Sequence, residues 1–395
     1  MPPKVLIITR LFAVPWNTNF AVYNQHQFAL LAEHMEVSIL VPISWVIFIK
    51  NPRAYWRFKR QARTRWPHAD YFVFWHAPRF FQFSHPFFLL LSLICQRFST
   101  LFLKRWNCLI GSWGFPDAIT AVFLAKLTRT PVVVKVHGSD VHVFTHKRLL
   151  RVQMRWALNR AHTVIAVSKA MAARLAAIGV EPGRTKVLYN GVDALRFHPM
   201  NQYSARDEHG IGPDDEVILF VGILLASKGC NELLEAFANL AKKRPLAKLV
   251  FIGDGPLKKK LLARVDALGL VDRVHFLGWV EHCQLPSWFS AASVFCLPSY
   301  SEGVPNVVLE AMACGTPVVA TAVGGVGEIL PDFAGLLIPP HDEIALEIAL
   351  DHALNSPWDH QRAMAHAAAF NWDKNVKILT EILAGAIQRA GSSEN

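Results

Sequence analysis

Residues 301–321 read SEGVPNVVLEAMACGTPVVAT. Glu302 sits in a turn ahead of Gly303. Pro305 marks a helix start at N1, because its φ is already helical and its missing N–H had no partner to lose. The free amides of Asn306 and Val307 point out of the first turn and offer a site for a phosphate. The helix is expected to stop at Cys314, with Gly315 in the left-handed C′ position and Pro317 beyond it. Gly303, Asn306, Glu310 and Cys314 share one helical face, while Val304, Val307, Val308, Ala311 and Met312 take the other. One turn and one helix therefore offer phosphate donors, a carboxylate one turn deeper, and a second carboxylate in the turn before. A nucleoside diphosphate sugar needs that set: amides for the phosphates, one carboxylate for the ribose hydroxyls and one for the sugar. A plain surface helix whose Glu310 faces water fits the same spacing.

Outward from this stretch, short apolar runs alternate with helical patterns. The strand-like runs are 5–9, 37–41, 131–136, 163–167 and 186–188, then 217–221, 248–252, 274–277, 294–297, 317–320 and 335–338. Helical patterns fall between them at 20–33, 148–159, 231–243, 256–268 and 344–354, with a last one at 371–390. This alternation implies βαβ units and parallel sheets. A polar stretch at 201–215 divides the series in two. The expectation is an α/β chain of two doubly wound, Rossmann-like domains, residues 1–200 and 201–370, with ligands at the carboxyl ends of the strands in a cleft between them. Residues 371–395 are read as a helix crossing back to the first domain.

At 395 residues the chain exceeds one ordinary core. It is 52% hydrophobic and 18% charged. Its longest apolar run, FFLLLSLIC at 87–95, is about half of the ~20 residues a spanning helix needs. The start, MPPKVLIITRLF, reads as a buried strand and not a signal peptide. Six cysteines without a CxxC pair point to a reducing cytoplasm and away from zinc or a disulfide framework. The densest histidine run, HGSDVHVFTH (His137, His142, His146), reads as a strand end and loop rather than a metal site. The net charge of +11 is concentrated. Residues 44–106 hold Lys50, Arg53, Arg57, Lys59, Arg60, Arg63, Arg65, Arg79, Arg97, Lys104 and Arg105 against one acid, Asp70, interleaved with Trp, Tyr and Phe. Such a mixture suits the boundary of an anionic bilayer. A solvated basic face and nucleic acid are the alternatives; no nucleic-acid partner is expected.

Other segments fall where strand ends are expected. Gly222 ends a strand, and Lys228 precedes a helix, where the dipole disfavours a lysine unless an anion is near. Gly253-Asp254-Gly255-Pro256 reads as a turn, with Asp254 capping and Pro256 opening the next helix. Trp279, in LGWV, offers its backbone to the edge of a base, though a structural loop fits equally. The glycines of Gly324-Gly325-x-Gly327-Glu328 would let backbone approach phosphates, a weak signal by itself. His137, at the end of a first-domain strand, is expected to face Glu302 across the cleft. The chain has no Asp-x-Asp pair, so the sequence requires no divalent metal, and no cofactor is expected.

The stretch 301–321 resembles the Glu-x7-Glu signature of the retaining family-4 glycosyltransferases of GT-B fold. VGILLASKG, FIGDGP, VHFLGWV, VHGSDV and LYNGVDALRFHP fit the same family in the same order. The resemblance implies transfer of a sugar from a nucleotide donor with retention of configuration, independent of metal. It gives Glu310 the ribose, Glu302 the sugar, and the turn running from Gly303 through Val304, Pro305 and Asn306 to Val307, by way of its free amides, the sugar and phosphates. Lys228 binds the diphosphate, Gly222 and Trp279 border the donor, and His137 touches its sugar; the catalytic set is His137, Lys228 and Glu302. Two positions depart from the family. Ile223 replaces the usual Arg, and Asn19-Phe20 replaces a loop glycine near the diphosphate. The expected acceptor is a lipid-linked glycan or oligosaccharide in cell-surface polysaccharide synthesis, at the inner face of the plasma membrane. A non-catalytic nucleotide-sugar-binding scaffold is the alternative. A phosphorylase or epimerase is a third, the former lacking a convincing Schiff-base lysine.

Overall fold

The computed structural model describes residues 2–77 and 81–392, so Arg79 of the basic stretch lies outside the described residues. The chain forms two compact units. One comprises the chain up to Tyr189 together with the segment from Trp372 onward; the other is Asn190–Asn371.

The first unit is a seven-stranded, wholly parallel sheet: β1 (Lys4–Ile8), β2 (Glu36–Ser44), β3 (Ala69–Phe74), β4 (Cys108–Ser112), β5 (Val132–Val136), β6 (Thr163–Ala166) and β7 (Thr185–Val187), in the order β3-β2-β1-β4-β5-β6-β7. Strands buried on both faces read as continuous apolar runs, and their period of two divides the core. Leu6, Ile8, Val134 and Val136 enter the cluster on one face, and Val5, Ile7 and Val133 the cluster on the other. The final helix, Trp372–Ser392, joins the second cluster through Val376, Leu379, Ile382, Leu383 and Ala386, spaced at three and four residues. Arg389 Nη2 donates to Thr163 Oγ1 at 3.0 Å.

The second unit is a six-stranded parallel sheet: β8 (Glu216–Val221), β9 (Ala247–Ile252), β10 (Val274–Gly278), β11 (Val294–Leu297), β12 (Val318–Thr321) and β13 (Gly335–Ile338), in the order β10-β9-β8-β11-β12-β13. The order reverses between β8 and β11, and between β1 and β4 in the first unit. Chain leaving such adjacent strands in opposite directions opens a crevice at their carboxyl ends.

Several local expectations need correction. β3 and β4 are additional strands: ADYFVF lies in the aromatic, basic stretch and shows no clean alternation, and CLIGS is short with a glycine inside. Residues 139–145 of the histidine run form a helix, Ser139–Thr145, instead of a loop. Pro305 is the N-cap, with ψ 114°, and the helix is Asn306–Ala313. Pro256 likewise precedes its helix, Lys258–Ala267, which receives no side-chain cap; Asp254 accepts the N–H of Gly255 at 2.7 Å instead. The basic stretch is not one surface. The cationic helix Pro52–Arg65 packs with Tyr55 and Phe58 on one sheet face. The apolar helix His85–Phe98 packs with Leu89 and Leu93 on the other. Lys59 and Arg97 meet at the edge strand, both pairing with Asp70.

Candidate active site

In the second unit the loops leaving β8 and β11 come together. The 3₁₀ turn Ala226–Lys228 leads to Gly229 (φ 68°) and the helix Cys230–Lys243. A Cβ on Gly229 would lie 2.0 Å from the carbonyl oxygen of Pro298, so only glycine lets the two loops approach this closely. Tyr300 N–H donates to Ser227 O at 2.9 Å, and the Tyr300 hydroxyl donates to Glu232. On this frame Lys228 Nζ donates to Glu302 Oε1 at 2.5 Å, with the carboxylate side chain 10% exposed. The ammonium has three donors, so two remain for an anion.

The turn carrying Glu302 is held from behind. Gly325 N–H donates to Gly303 O at 2.7 Å. Gly324 has φ 55°, and a Cβ there would lie 1.9 Å from the carbonyl oxygen of Glu302. The glycine-rich loop thus makes a close approach to the Glu302 turn. Gly303, Val304 and Pro305 are buried. The first helical hydrogen bond runs from Val308 N–H to Pro305 O at 3.1 Å. The amides of Asn306 and Val307 therefore precede the helical ladder, and its dipole favours an anion beside them. Asn306 Oδ1 accepts from Asn190 Nδ2 at 3.1 Å.

Glu310 does not face water. It is 7% exposed, and its Oε1 lies 3.1 Å from His282 Nε2. His282 Nδ1 lies 3.1 Å from Arg196 Nη1. A guanidinium can only donate, so Nδ1 accepts, and the ring proton sits on Nε2 and is given to Glu310. The ring of Phe197 packs edge-on against His282 with centroids 5.0 Å apart. His282 and Arg196 went unseen in the sequence, because a histidine just after a strand and an arginine in a loop carry no spacing signal. Trp279, three residues before His282, is half exposed, and Gly222 is partly buried with its N–H on Ile252 O at 2.9 Å. Ile223 beside it is 50% exposed.

His137 belongs to the first unit, immediately after β5. Asp140 anchors its loop by accepting N–H bonds from Gly114 (2.7 Å), His137 (3.1 Å), Gly138 (2.8 Å) and Val141 (3.0 Å). His137 Nε2 lies 2.9 Å from Ser112 Oγ, and the ring packs near Tyr23. Burial, then the Lys135 cation, holds its pKa well below the ordinary histidine value, so the ring is neutral at pH 7. At the switch between β1 and β4, Arg10 Nε pairs with the buried Asp117 at 3.2 Å. Burial outweighs that cation and raises the carboxyl to about 6. At the start of the neighbouring helix, Val22–His34, Ala21 takes a left-handed φ of 54°, next to the Asn19-Phe20 departure. Among the described residues no three His, Cys, Asp or Glu are grouped to hold a metal ion.

Residues 20–191 match the family Glycosyl transferase 4-like domain, and residues 201–371 match Glycosyl transferases group 1. The chain belongs to the family-4 type glycosyltransferases of GT-B fold. Among curated relatives of this type, it is similar to D-inositol 3-phosphate glycosyltransferase 2 of Catenulispora acidiphila. That match is 34% identical over 226 residues, 53% of this chain and 52% of the relative. It is also similar to the putative teichuronic acid biosynthesis glycosyltransferase TuaC of Bacillus subtilis, 33% identical over 60% of this chain and 59% of the relative. The chain thus spans about half the length of the first of these and somewhat more of the second. The fold is that of sucrose-phosphate synthase from Thermosynechococcus elongatus, with TM-score 0.78 and 22% identity over 98% of this chain and all of that one. It is also that of Anabaena Alr3699/HepE in complex with UDP and glucose, with TM-score 0.73 and 21% identity over 97% of this chain and all of the other.

Proposed function

We propose that the chain transfers a sugar, with retention of configuration, from a nucleoside diphosphate donor to a glycan acceptor. The observation that carries this reading is the convergence of Lys228 on Glu302 at the β8/β11 switch point, beside a helix whose first amides precede the ladder. Glu310, its orientation fixed by His282, takes the ribose hydroxyls. The amides of Asn306 and Val307 and the remaining ammonium donors of Lys228 take the diphosphate. As the sugar–phosphate bond breaks, charge grows on the leaving oxygens, where fixed donors and a cation stabilise the transition state more than the ground state. Glu302 holds the sugar and keeps Lys228 aimed. The leaving phosphate accepts the acceptor's proton on the same face that the acceptor attacks, and His137, neutral at pH 7, contacts the donor sugar. The loop of Trp279 borders the base.

UDP in a structural neighbour's complex and teichuronic acid in a relative's name support a nucleotide donor and a cell-surface polysaccharide product. The acceptor is lipid-linked, and the protein works peripherally at the cytoplasmic face of the plasma membrane. The exposed Ile223, where the family carries Arg, favours a second reading as a non-catalytic nucleotide-sugar-binding partner. A panel of nucleoside diphosphate sugars, read by released UDP, GDP or ADP, separates the two. The enzyme reading expects release from at least one donor and its loss in Lys228→Ala. No release from any donor, or undiminished release by that variant, contradicts it.

A further inference from the structure

The helices His85–Phe98, Ile119–Thr128 and Arg148–Leu158 cover one face of the first sheet. The first is fixed to that sheet from beneath. Leu89 and Leu93 are fully buried, Trp75 N–H donates to Ser92 Oγ at 3.2 Å, and Gln96 Nε2 donates to Val73 O at 2.7 Å. Its other side, extended at its start, carries Phe83, Phe87 and Leu91 at four-residue spacing, all exposed, Phe87 by 63%; past the break at Arg97 (φ −136°) Phe98 and Phe102 are exposed as well. The stretch Gln82–Leu103 is long and apolar enough to cross a membrane, with mean hydropathy 1.6 and only 28% of its most apolar window buried. It cannot cross as part of this unit, because one side is bonded to β3 and its ends feed β3 and β4 of a single sheet. The stripe therefore lies along the surface. The neighbouring helices extend it with Phe123 and Leu127 and with Leu149 and Val152, all exposed.

The three helices of this face carry cations and no acids; Asp70, on the edge strand beside them, is paired with Arg97 and Lys59. Between Asp70 and Glu181 the sequence holds two acids, Asp117 and Asp140, and both are fully buried. Lys104, Arg105, Lys126, Arg148 and Arg151 are exposed there. A second copy of the chain docking by the same face would set these cations against one another. An anionic lipid leaflet meets both features: phosphates for the cations and the acyl boundary for the rings.

We propose that this face docks on an anionic membrane leaflet, with Phe87, Leu91 and Phe98 at the headgroup–acyl boundary and Arg148 and Arg151 among the phosphates. The proposal rests on the reading of a lipid-linked acceptor and names the surface that delivers the enzyme to it. The cationic helix Pro52–Arg65, on the opposite sheet face, stays off the membrane.

The test is flotation of the full chain with vesicles of phosphatidylcholine, with and without phosphatidylglycerol. Binding is expected only with the anionic lipid, and added salt should weaken it. Phe87→Glu/Leu91→Glu and Arg148→Glu/Arg151→Glu should each bind at least about tenfold more weakly. Arg53→Glu/Arg57→Glu should stay within about twofold of wild type. Every altered side chain is exposed, so melting temperatures should not move. Wild-type binding by both of the first two variants, or loss only in the third, overturns the proposal. So does a lipid-free dimer that Phe87→Glu/Leu91→Glu converts to monomer. Release of nucleoside diphosphate in lipid-free solution is measured in parallel. Vesicle binding without release from any donor would fault the enzyme reading alone, and release without vesicle binding would fault the docking alone.

Discussion

Gly324→Ala tests how the Glu302 turn is held. The new Cβ would lie 1.9 Å from the carbonyl oxygen of Glu302, far inside van der Waals contact, so one backbone must retreat by about 1 Å or more. The left-handed φ of 55° adds about 1–2 kcal/mol for a residue with a Cβ. With overpacking of about 1–3 kcal/mol, the total is roughly 2–5 kcal/mol. At about 2–4 °C per kcal/mol for a unit of this size, the second unit should melt roughly 4–20 °C lower. Retreat of the turn also moves Glu302 relative to Lys228, and about 1 Å at a reacting centre can cost about 100-fold in turnover. Gly327→Ala is the control, because its Cβ would meet only Leu337 Cδ1, at 3.5 Å, inside the short helix Val326–Ile329. The assays are thermal melting of the full chain and release of nucleoside diphosphate from the donor selected in the panel. Wild-type melting and turnover in Gly324→Ala would refute the reasoning, as would equal losses in both variants.

His282→Phe keeps the ring and removes the donor to Glu310, so nucleoside diphosphate affinity by calorimetry should fall about 10-fold, the worth of one charge-assisted hydrogen bond; unchanged affinity would mean that His282 does not orient Glu310. Lys135 is buried against Gln27 Oε1 (2.8 Å), and burial lowers its pKa to about 7. Between there and the ordinary lysine value the unfolded chain binds the extra proton, so stability rises with pH across that window and the burial cost is full below about pH 7. Lys135→Met should therefore gain most over wild type at pH 7 or below, roughly 5 kcal/mol at most, and converge toward it near pH 10 in urea titrations; a gain that grows with pH would contradict this. His137→Ala should lower turnover about 10-fold or more. Because the wild-type imidazole is already neutral, kcat/KM should show no acid limb near pH 6.5 that the substitution removes.

The doubly wound fold was legible because buried parallel strands leave continuous apolar runs, as in VILFV and LVFI. β3 and β4 escaped because their residues are aromatic, short-run or interrupted by glycine, a pattern that a helix or loop carries equally well. Of the site, Lys228, Glu302 and Glu310 were readable from turn chemistry and helical spacing. What spacing could not supply was Glu310's burial, which depends on His282 arriving from another loop, or the tautomer that Arg196 imposes. The basic, aromatic stretch misled in a specific way. Neighbours in sequence became opposite faces of a sheet once β3 separated the two helices, so charges and rings pair locally, Lys59 with Trp56 and Lys104 with Trp106, and do not form one surface.

Glu310 is the residue on which the donor-binding account stands. Its most direct test is a calorimetric titration of the nucleoside diphosphate selected in the panel into wild type and Glu310→Gln. The substituted side chain keeps an acceptor for His282 but loses the charge proposed to hold two ribose hydroxyls, so affinity should fall about 100-fold, with the melting temperature of the protein alone little changed. Equal affinity in the two proteins would contradict the account.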